Sequence, residues 1–69
     1  MTAGSVSLAE QLQELRRERK MRVFVYPRLI SSGKLRPDDA ARYNLALDAA
    51  IVTLDDLLKA RTSSQGRLI

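Results

Sequence analysis

The stretch Leu29-Ile30-Ser31-Ser32-Gly33-Lys34-Leu35-Arg36-Pro37-Asp38-Asp39 decides the fold. An apolar run gives way to two serines and a glycine, and a proline followed by two aspartates opens the next segment. Glycine enters the left-handed conformation that closes a helix C-terminus at no steric cost. Proline suits the first turn of a helix, where its missing N–H forfeits no bond, and aspartates there meet the positive end of the helix dipole. The stretch therefore reads as a helix end, a tight turn at Ser31-Ser32-Gly33-Lys34 and a helix start.

Upstream of the turn, Ser7 stands three residues before Glu10 and just ahead of Leu8, Leu12 and Leu15, a capping-box pattern that starts helix 1. The segment Arg22-Val23-Phe24-Val25-Tyr26 has strand propensity, but a lone strand would have no partner in this chain. Helix 1 is expected to run to about Ser32 with a kink near Pro27, which removes one donor and crowds the carbonyl of Val23. Downstream, helix 2 is expected from Pro37 to about Arg61. The division is a disordered N-terminus over residues 1–6, a helical hairpin over 7–61 and a flexible tail over 62–69.

At 100° per residue the inner stripe of helix 1 is Leu8, Leu12, Leu15, Val23, Tyr26, Leu29 and Ile30. Arg19 and Arg22 fall inside it. They either pair with helix 2 acids and extend their stems over the apolar surface, or line a partner-binding surface. Helix 2 has a seam of Ala40, Tyr43, Leu47, Ala50, Ile51, Leu54, Leu57 and Leu58. It also has a second apolar patch at Ala41, Leu45, Ala49 and Val52. Helix 1 covers one of these faces, and the other calls for a second copy. The expected fold is all-α: a two-helix hairpin dimerising into a two-fold four-helix bundle. Its core is expected to include Leu12, Leu15, Tyr26, Leu45, Leu47, Ile51, Val52, Leu54 and Leu58.

Composition narrows the function. The chain has 69 residues, net charge +4, no Cys and no His, so neither a disulfide nor an ordinary zinc site can staple so small a domain. Self-association is the remaining common staple. No apolar run reaches the ~20 residues that span a bilayer, and Met1-Thr2-Ala3-Gly4-Ser5 lacks the basic start of a signal peptide. A cytoplasmic protein with no membrane partner is expected. Phosphate-binding glycine loops are missing. Asp38-Asp39 and Asp55-Asp56 are adjacent pairs that diverge on a helix. The expectation is no enzyme and no cofactor.

Charge is unevenly placed. Between Arg16 and Arg36 there are eight bases and one acid, while Pro37 to Arg61 holds five acids and three bases. On the side of helix 1 away from its inner stripe, Arg17, Lys20, Met21, Phe24 and Arg28 combine bases with an aromatic and a Met, a mixture enriched at protein interfaces. Either this is a partner-binding face, or the kink at Pro27 swings Phe24 into the core. Asp48, Asp55 and Asp56 of helix 2 are the candidates for meeting a basic partner. Nucleic-acid binding through the basic cluster is the second reading. The element order fits neither a ribbon-helix-helix nor a trihelical helix-turn-helix unit.

Met21-Arg22-Val23-Phe24-Val25-Tyr26-Pro27-Arg28-Leu29-Ile30, the turn Ser32-Gly33-Lys34-Leu35, and Ala40-Ala41-Arg42 with Ala50-Ile51-Val52 together resemble a group of short helical proteins of phages of Gram-negative bacteria. The likeness spans residues 18–58 and centres on Val-Tyr-Pro-Arg with the Gly-Lys-Leu turn. Length and character are also similar to the quorum-sensing anti-activators of Pseudomonas phages. That resemblance implies a small helical dimer acting in the host cytoplasm. Such a protein binds the DNA-binding region of a LuxR-type activator and also blocks a type IV pilus assembly ATPase. No contact residue carries over from it, so the site residues above rest on the helix faces alone.

Overall fold

The computed structural model describes residues 5–67, with side chains through residue 61. Its two elements are α1 (Leu8–Ser31) and α2 (Pro37–Arg67), which pack on each other as a hairpin. Residues 1–4 of the expected N-terminal segment and 68–69 of the expected tail lie outside the described residues. α2 continues past Arg61, the end expected from its last basic residues, to Arg67. Residues 62–65 contain neither Gly nor Pro, so the backbone meets no breaker before Gly66.

Each boundary has a local cause. Ser7 is extended and its Oγ accepts from the Glu10 N–H at 3.1 Å, which satisfies one of the orphan donors of the first turn. The Gln11 side chain adds a bond to the Val6 carbonyl. At the other end the Gly33 N–H donates to the Ile30 carbonyl at 3.1 Å and the Lys34 N–H to the Leu29 carbonyl at 2.9 Å. With Gly33 at φ 77°, this is the Schellman closure, in which the glycine turns the chain and two trailing amides satisfy the last carbonyls. α2 then opens at Pro37 with Asp38 and Asp39 in its first turn. Pro27 lies inside α1, which stays one helix across it. The segment from Arg22 to Tyr26 is helical despite its strand propensity, as the absence of a pairing strand demands.

The interior is small. Only Leu12 (3% exposed) and Ala40 (5%) are buried among the described residues. Leu15, Tyr26, Leu47, Ile51, Leu54 and Leu58 line the seam half-buried. Three residues expected in the seam stand further out: Val23, Tyr43 and Leu57 are all exposed. All three lie at the edge of the apolar stripe of their helix rather than at its centre.

Candidate protein-binding surface

The centre of the hairpin is polar. Arg16, Arg19 and Arg22 recur every three residues, so they ride one side of α1 and reach across to α2. Arg16 Nη2 donates to Asp55 Oδ1 at 3.2 Å, and Arg19 Nε to Asp48 Oδ1 at 2.8 Å. Arg22 Nη1 donates to the Tyr43 carbonyl at 3.1 Å. Its guanidinium also lies 5.1 Å from the centre of the Tyr26 ring and its Nε 3.6 Å from Glu18. A guanidinium is suited to this position because it stacks on an aromatic face while donating in its own plane. The two arginines in the inner stripe are thus structural, paired within the hairpin.

Asp55 is shared. Lys59 Nζ lies 2.9 Å from its Oδ2, and Arg16 holds its other oxygen. The Lys59 hydrogen bond, aided by both positive charges, holds the Asp55 carboxyl below the usual carboxylate range. The same bond raises the Lys59 ammonium above the usual lysine value. Asp48 and Asp55, named as partner-facing acids, are therefore already engaged by the chain's own bases. Asp56 is exposed.

The outer face of α1 is different. Phe24 is 70% exposed and Met21 49%, with Arg17, Lys20 and Arg28 exposed around them. Continuity of α1 through Pro27 leaves Phe24 opposite the seam, outside the core. Arg17 makes one local pair, to Glu14 at 3.1 Å. The five residues singled out on α1 are therefore brought together as one exposed apolar and basic surface. Arg17 and Lys20 also rim a groove of about 530 Å³ floored by Ala9, Leu12 and Leu58.

α2 leaves two more apolar areas open. Leu45 (70% exposed) and Val52 (57%) project on one side, with Ala41 and Ala49 beside them. Tyr43 and Leu57 stand on the other. Of the expected dimer core, Leu45 and Val52 are thus exposed in the single chain, whereas the remaining members lie in the seam between α1 and α2. Sequence reasoning missed the Arg16–Asp55 pair and the backbone bond of Arg22. The three-residue spacing of the arginines is the signal that carries both.

Among the described residues no group of three or more His, Cys, Asp or Glu side chains gathers to hold a metal, and no helix is long and apolar enough to cross a membrane. No family model, curated protein or solved structure matches this chain.

Proposed function

We propose that this chain is a phage-encoded, non-enzymatic inhibitor that works as a homodimer by occupying surfaces of host regulatory proteins in the host cytoplasm. Its targets in this reading are a LuxR-type quorum-sensing activator, whose DNA binding it blocks, and a type IV pilus assembly ATPase. In this reading α1 is kinked near Pro27, and two hairpins pack as a two-fold four-helix bundle.

The observation that supports a protein-binding face is the exposure of Phe24 and Met21 within a ring of Arg17, Lys20 and Arg28; the phage source and the two targets rest on the resemblance of the Val25-Tyr26-Pro27-Arg28 segment and the Gly33-Lys34-Leu35 turn. A large aromatic held in water gains most when a partner supplies a pocket, and arginines at the rim supply orientation and on-rate. The target patch is then an apolar pocket bordered by acids, beside rather than on the basic surface by which an activator meets DNA. Because Asp48 and Asp55 are paired internally, the binding face is assigned to α1 rather than to the acids of α2.

The test uses a purified activator and its operator DNA. The chain is expected to abolish the gel shift of the complex, and Phe24→Ala to restore it. Inhibition undiminished by Phe24→Ala and by Arg17→Glu together would sink this assignment. The second reading, binding of nucleic acid by the same bases, predicts that the chain alone shifts DNA. That shift would weaken steeply with salt, since each phosphate contact releases counterions.

A further inference from the structure

α2 carries a pattern that reads the same in both directions. Tyr43, Ala46, Ala50, Leu54 and Leu57 follow one another at spacings of 3, 4, 4 and 3 residues, and Asp39 and Arg61 stand four residues beyond each end. At 3.6 residues per turn such spacings keep to one face of a helix. Ala50 is the midpoint. Reversal about it exchanges Tyr43 with Leu57, Ala46 with Leu54, and Asp39 with Arg61. Large side chains meet large, a small one meets a branched one, and an acid meets a base. A two-fold antiparallel pair of helices imposes this exchange, because residue i meets residue j wherever j meets i.

The two ends of this face are open in the single chain, while Leu54 sits half-buried at its border with the α1 seam. Tyr43 and Leu57 are each about half exposed. At 100° per residue Asp48 lies about 160° and Asp55 about 140° around the helix from Ala50. The ion pairs to α1 therefore cross on the far side and leave this face without charge between Asp39 and Arg61. Neither Asp39 nor Arg61 has an ion-pair partner within the chain among the described residues. The Leu45 and Val52 side serves a two-fold pair poorly. Its midpoint falls between Asp48 and Ala49, so the Asp48 carboxylates of both copies would lie beside the two-fold axis, a like-charge approach with a desolvation cost.

We infer that a second copy of the chain docks on the Tyr43–Leu57 face, α2 against α2 antiparallel about Ala50, with Asp39 of each copy paired to Arg61 of the other. The inference rests on the homodimer reading and names the surface and register that form it. At 1.5 Å per residue the seam from Asp39 to Arg61 is about 33 Å long. The outer face of α1, with Phe24, stays free on both copies.

The chain has no native cysteine, so single cysteines report the seam directly. Ala50→Cys, placed on the two-fold axis, is expected to give a disulfide-linked dimer under mild oxidation, and Ala49→Cys is not. Mass is measured in parallel by light scattering, and helicity by circular dichroism for every variant. Asp39→Arg and Arg61→Asp are each expected to weaken dimerisation about tenfold, and the two together to restore it. A dimeric mass with cross-linking at Ala49→Cys and none at Ala50→Cys overturns this seam and leaves the dimer standing. A monomeric mass at tens of micromolar overturns both.

Discussion

Arg19 Nε donates to Asp48 Oδ1 at 2.8 Å across the hairpin, and both side chains keep between a third and a half of their surface in water. The pair is wet enough to escape the full desolvation cost of a buried ion pair. It is also close enough to decide which turn of α2 faces which turn of α1.

A double-mutant cycle on Arg19→Met and Asp48→Asn is expected to return a coupling of about 0.5–1 kcal/mol, the range of partly exposed pairs. Urea unfolding of the four proteins measures it. A coupling indistinguishable from zero would mean that the pair contributes nothing to the register.

Gly33 sits at φ 77°, and a methyl group added there meets nothing within 4 Å. The cost of Gly33→Ala is therefore conformational alone, about 1 kcal/mol, and Gly33→Val costs more because its branched carbon opposes a positive φ. Thermal unfolding followed by circular dichroism should rank wild type above Ala above Val. An Ala variant as stable as wild type would contradict the left-handed turn.

Phe24→Ala should leave stability within about 0.5 kcal/mol of wild type, as is usual for an exposed side chain without partners. Target binding should fall at least tenfold in the same protein. A large loss of stability would instead place Phe24 in a core, the outcome that a sharper bend at Pro27 would produce.

The Asp55 carboxyl is held below its ordinary value, so its contribution is present at neutral pH and fades as pH falls through the lowered value. Lys59 is held above its ordinary value, so its share is present at neutral pH and is lost only as pH rises through the raised value. Stability of Asp55→Asn should therefore fall less steeply than wild type below pH 4, and high salt should narrow the difference. Parallel acid titrations of the two proteins, followed by circular dichroism, provide the comparison. Identical acid limbs would show that the Arg16, Asp55 and Lys59 cluster is without consequence.

The hairpin was legible in local chemistry. Ser7, Gly33, Pro37 and the aspartates behind it carry instructions that no tertiary contact has to supply, and α1 and α2 begin where they direct. The seam was less so. Tyr43, Leu57 and Val23 lie at angles that suit either the seam or its edge, and the choice depends on the crossing of two helices, which spacing along one of them cannot encode. The arginines of α1 were visible as intruders in an apolar stripe, but their bonds to Asp55 and to the Tyr43 carbonyl depend on how far α2 is slid along α1. α2 also outran its last basic residues, since terminal charges favour a helix end without enforcing one.

Leu12 and Ala40 are the whole buried interior of the described chain. With only these two side chains buried and the rest of the seam half-exposed, a lone hairpin has little resistance to opening. Where a second copy closes the Tyr43–Leu57 face, folding becomes a bimolecular event and follows mass action. Copy number then sets how much of the protein is folded. The first few molecules made in a cell would stay open to proteolysis, and the pool would become durable only above the dissociation constant of the pair. That would make the onset of activity a threshold in expression rather than a gradual rise.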